Sequence, residues 1–127
     1  MQDNPSAAQL LDAVIHFLKE VTPVLPPREA FDARVASNAL ALVRREIAIG
    51  REAQSEELRR LVALLGHNGK LRDLNRELSE RLLNGQLTGN DPQVKAHLWA
   101  TTLEKLAVDQ PDYSAYQRSV NETNPLE

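Results

Sequence analysis

Apolar positions recur at intervals of three and four along nearly the whole chain, and no stretch alternates apolar with polar residues for long enough to argue a strand. The pattern predicts an all-α fold. Leu10, Leu11, Val14, Ile15, Leu18 and Val21 form one apolar stripe on a first helix. Its start is marked by Asn4-Pro5-Ser6, a capping side chain followed by a Pro tolerated in the first turn, and it ends near Val21. Pro23, Pro26 and Pro27 forbid continuation, and each ring pushes the residue before it out of the α region. The connector is therefore expected to be extended and stiff. A second helix runs from about Glu29 to Ile49 and stops at Gly50. Its apolar residues, among them Phe31, Val35, Leu40, Leu42, Val43 and Ile47, exceed one narrow stripe, which predicts a central helix.

Ser55-Glu56-Glu57 reads as the cap and acidic first turn of a third helix, which carries Leu58, Leu61, Val62, Leu64 and Leu65 to a stop at Gly66. After the tight turn Gly66-His67-Asn68-Gly69, a fourth helix carries Leu71, Leu74, Leu78, Leu82 and Leu83 to Asn84-Gly85. The short connections make helices two, three and four antiparallel neighbours. Asp91-Pro92 starts a fifth helix, to about Val108, with Val94, Leu98, Trp99, Leu103 and Leu106 inward and Pro111 as its stop. The expected architecture is a five-helix, bundle-like single domain over residues 1–112. A polar C-terminal tail, 113–127, follows and is expected to be disordered at its end. The closing Leu126-Glu127 also fits a restriction-site remnant.

Composition sharpens this picture by exclusion. A chain of 127 residues is one ordinary domain in size, so a single core is expected. The absence of cysteine removes disulfide frameworks, thiolate metal centres and thiol nucleophiles. The longest apolar run, Ala39 to Val43, is far below the roughly 20 residues of a membrane span. The start Met-Gln-Asp-Asn-Pro does not read as a signal peptide, so a soluble cytoplasmic protein with no membrane contact is expected. The net charge of −3 conceals an asymmetry. Arg28 to Arg81 holds 11 basic and 9 acidic residues, and the rest of the chain holds 4 basic and 9 acidic. Neither part is a cationic stripe with stacking aromatics, which argues against nucleic acid as a partner.

Three segments carry a family likeness: Phe31-Asp32-Ala33-Arg34-Val35-Ala36-Ser37-Asn38-Ala39-Leu40, Leu64-Leu65-Gly66, and Lys105 to Tyr113 with its Asp109-Gln110-Pro111-Asp112. Together with the opening Asp3 to Leu11, they make the chain resemble, over about residues 3 to 114, a family of small bacterial all-helical proteins of unknown function. Members accompany, or are fused to, proteins similar to aminoglycoside phosphotransferases, in neighbourhoods that also hold acyl-CoA dehydrogenases. The resemblance implies an accessory role beside such an enzyme and brings no catalytic residue with it. The chain has neither a His-Gly-Asp catalytic loop nor a Gly-rich phosphate loop.

Among individual residues, Arg34 and Asn38 lie four apart on one face of the second helix, together with Phe31, Val35 and Leu42. One reading is a pocket in which the Arg fork and the Asn amide hold a small anionic or carbonyl ligand, the basis of a ligand sensor or small enzyme. The preferred reading is structural: Arg34 caps carbonyls or pairs with Asp109 at the end of helix five, and Asn38 bonds a loop backbone. Tyr113 is expected to fold back and seal one end of the core, although a partner-docking role for Tyr113 and Tyr116 is the alternative. These four, Arg34, Asn38, Asp109 and Tyr113, are the ligand-binding candidates. His16, His67 and His97 sit on different elements without metal-ligand spacing, so neither a metal nor any other cofactor is called for. Helix four, with Lys70, Arg72, Asp73, Arg76, Glu77, Glu80 and Arg81, reads as a solvated helix laced by surface pairs. The sequence thus points to a non-catalytic binding protein. Its expected partner is a phosphotransferase-like or acyl-CoA dehydrogenase-like enzyme, or a second copy in a homodimer.

Overall fold

The computed structural model describes residues 5–122, and every regular element among them is helical. The all-α class is therefore established. The elements are α1 (Ala7–Val21), a 3₁₀ turn (Thr22–Val24), α2 (Pro27–Arg45), a π-helical segment (Glu46–Gly50), α3 (Arg51–Leu65), α4 (Leu71–Leu83), α5 (Pro92–Asp109) and α6 (Ser114–Glu122). They divide into two compact units, one ending at Gly50 and the other starting at Arg51.

In the first unit α1 packs on α2. Ser6, rather than Asn4, caps α1: its hydroxyl accepts from the Gln9 backbone N–H at 3.2 Å, and its own N–H donates to Gln9 Oε1 at 2.8 Å. Asn4 lies outside the described residues. The proline connector is less extended than expected, because Pro23 sits at the start of the 3₁₀ turn, where a missing N–H costs nothing. Only Leu25 and Pro26 are extended before Pro27 opens α2. Asp12 and Arg44 tie the two helices at 3.1 Å. The buried residues of this unit are Ala30, Ala33 and Ser37, all small, while Leu10, Val14, Phe17, Phe31 and Val35 stay about half exposed. Small residues let two helices approach closely, and they leave little apolar area removed from water.

The second unit has a conventional core. Leu61 and Leu65 of α3 interlock with Leu74 and Leu78 of α4, and Val94 of α5 is fully buried. Gly66 (φ +84°) and Gly85 (φ +80°) reverse the chain after α3 and α4 in the left-handed region that a side chain disfavours. Three expectations are corrected here. The loop predicted ahead of Ser55 is helical: Ser55 lies inside α3 and donates to the Arg51 carbonyl, and Arg51-Glu52-Ala53-Gln54 are good helix formers. In α5, His97 is buried, whereas Leu98 and Trp99 are exposed. The tail expected from residue 113 is helical over Ser114–Glu122, with α6 packed on α5. The disorder expected at the end of the tail, and Leu126-Glu127, lie outside the described residues.

Candidate functional site

The densest polar constellation is in the second unit, and it follows from a helical spacing. Val94, His97, Thr101 and Glu104 recur at intervals of three, four and three on α5, so they share one face, and that face meets α3. Arg60 of α3 spans the polar part of this stripe. Its Nη1 donates to Glu104 Oε1 at 2.8 Å, its Nη2 to Glu104 Oε2 at 2.9 Å and to Thr101 Oγ1 at 3.2 Å, and its Nε to His97 Nδ1 at 3.3 Å. The Arg60–Glu104 pair is bidentate and three-quarters removed from water, which makes it stronger than a surface ion pair. Three residues before Arg60, the buried Glu57 accepts from Asn75 Nδ2 of α4 at 3.2 Å, so the network reaches a third helix.

The electrostatics agree with the geometry. The hydrogen bond that Arg60 donates to Glu104, with the carboxylate's charge, raises the already high affinity of Arg60 for its proton against the cost of burial. Burial, and then the neighbouring Arg60 charge, push His97 below its ordinary pKa. A neutral His97 is also what the hydrogen bond requires, since Nδ1 must accept from a guanidinium. Beside the network a cavity of about 220 Å³ is lined by Arg60, Ala63, Leu64, Gln93, Ala96 and His97. Its cation is already committed to Glu104. The cluster therefore acts first as a polar clamp joining α3 to α5.

A second titratable group sits at the α3–α4 turn. His67 Nε2 meets the Glu77 carboxylate at 2.9 Å and its Nδ1 meets the Asn68 carbonyl at 3.0 Å, so both ring nitrogens face acceptors. The Asn68 carbonyl and the Glu77 carboxylate raise its pKa. Arg81 joins Glu77 at 3.1 Å, one of the surface pairs expected on the fourth helix. His16 pairs with Glu20 at 3.0 Å in the open. Among the described residues no three metal-ligating side chains come together, and no described helix is long and apolar enough to cross a membrane.

The residues singled out by sequence lie elsewhere. Arg34 and Asn38 are exposed on α2, one turn apart, in the first unit; Asp109 is exposed at the end of α5 and Tyr113 is half exposed ahead of α6, both in the second. Tyr113 therefore does not seal a core. Arg60, Thr101 and Glu104 are not singled out by sequence, because a polar stripe on an amphipathic helix looks like its solvent side, and His97 is read there only as one of three isolated histidines. The remaining signal was that the spacing continues the line of Val94. No curated protein and no solved structure matches the chain. Residues 23–113, more than half of the chain, match the family described as Domain of unknown function (DUF6285), and the protein belongs to that family.

Proposed function

We propose that the protein is a non-catalytic accessory module that works by binding another protein. The observation that carries this reading is the first unit: its buried residues are all small, and Leu10, Val14 and Phe17 of α1 with Phe31, Val35 and Leu42 of α2 are left exposed. A soluble domain keeps such a surface where a partner covers it. The polar cluster supports the same reading from the other side, because every interaction of Arg60 named above is spent on joining helices rather than held open for a substrate.

The partner proposed, on what the family resemblance implies, is a phosphotransferase-like or acyl-CoA-linked enzyme. Co-expressed with the tagged chain, that enzyme is expected to co-elute in fixed stoichiometry. Phe17→Glu, which places a charge in the exposed stripe Leu10-Val14-Phe17 of α1, is expected to release it. Purified enzyme and chain that elute separately at micromolar concentration would overturn this partner. A ligand pocket at Arg34 and Asn38 is the weaker reading, since both side chains are exposed.

A further inference from the structure

The outward side of α2 carries an ordered sequence of chemistries. Arg28, Phe31, Val35, Asn38, Leu42 and Glu46 follow one another at intervals of three, four, three, four and four, so they line one side of the helix. All six are exposed, with Phe31 at 59%, Val35 at 52% and Leu42 at 36%. The stripe is basic at its start, apolar on both sides of a central amide, and acidic at its end. Arg28 stands ten residues before Asn38 and Glu46 eight after it.

We infer that this stripe is the contact of a homodimer, in which two copies of α2 pack antiparallel about a two-fold axis passing Asn38. The inference rests on the reading of the first unit as a protein-binding surface and names the occupant of one of its faces. An antiparallel pair centred there brings Arg28 to Glu46 of the partner subunit at both ends, whereas a parallel pair sets like charges against each other. Phe31 and Val35 then meet the end of the stripe that holds Leu42. Asn38 meets its own copy, and a carboxamide both donates and accepts, so two of them satisfy each other. A lone Asn in an apolar seam costs stability and fixes register and stoichiometry. The charge balance also suits self-association, since the chain through Gly50 has five basic and six acidic residues and no large field of one sign.

The test is light scattering of the full chain at tens of micromolar, with charge-swapped variants. The expected mass is twice 14.2 kDa. Arg28→Glu alone or Glu46→Arg alone is expected to weaken the dimer about tenfold, and the two together to restore it to within about threefold, because the swap rebuilds both ion pairs. Val35→Glu is expected to give a monomer of unchanged helical circular dichroism. The chain has no cysteine, so Asn38→Cys provides a single reporter, expected to form a covalent dimer on mild oxidation. A wild-type monomer overturns the inference, and so does a dimer whose double swap fails to recover. A monomer that still co-elutes with the enzyme leaves the accessory reading standing and removes only this one. A dimer that captures no enzyme does the reverse.

Discussion

Arg60 is the residue on which the second unit's polar chemistry turns. Truncating Glu104 leaves a half-buried guanidinium without its bidentate acceptor, so Glu104→Ala is expected to cost about 1–3 kcal/mol in denaturant melts, and Arg60→Met/Glu104→Ala less than the sum of its singles. Additive losses would mean that the contact contributes nothing of its own. The two shifted histidines give opposite pH signatures. His97 holds its proton less tightly in the fold than its ordinary value of 6.5, so as pH falls through that value the unfolded chain takes up a proton that the fold does not, and stability drops. His67 holds its proton more tightly, so its contribution is complete below 6.5 and disappears as pH rises through the folded value. Stability measured between about pH 5 and 8 is therefore expected to fall less on the acid side in His97→Gln, and the deficit of His67→Asn to shrink toward the alkaline side. A wild-type acid limb unchanged in His97→Gln would show that His97 is not the group responsible.

At the scale of elements, the stops were legible and the faces only partly so. Gly66 and Gly85 end α3 and α4 as their positions after leucine stripes predict, and Asp91-Pro92 opens α5. Capping preference misleads at Ser55, where a good capping residue is used inside a helix, its hydroxyl satisfied by the Arg51 carbonyl four residues back. The two kinds of error differ in energy, and mutation separates them. Leu74→Ala empties a fully buried site between α3 and α4 and is expected to cost 2–5 kcal/mol, approximated from other cores at about that range. Gly66→Ala meets open space and pays only for its left-handed backbone, about 1 kcal/mol. Equal losses at the two positions in thermal melts would contradict this assignment of core and turn.

For the whole molecule, the two units differ in what holds them. The second buries four leucines on two helices and a valine on a third, and the first buries two alanines and a serine. Below the concentration at which copies associate, backbone amides of α1 and α2 are therefore expected to exchange hydrogen faster than those of α3 and α4, and uniform protection would refute that difference. By itself the sequence determined the helical class, the positions of α1, α4 and α5 and the stops at Gly66 and Gly85, because periodicity, capping and left-handed turns are encoded within a few neighbouring residues; the stop expected at Gly50 is instead a π-helical segment that runs on into α3. Only the tertiary structure decided that α2 keeps Phe31 and Val35 in water, that His97 rather than Trp99 turns inward, and that Arg60 finds Glu104. Those outcomes depend on which helix lies opposite, and residues 60 and 104 meet only after the chain has folded between them.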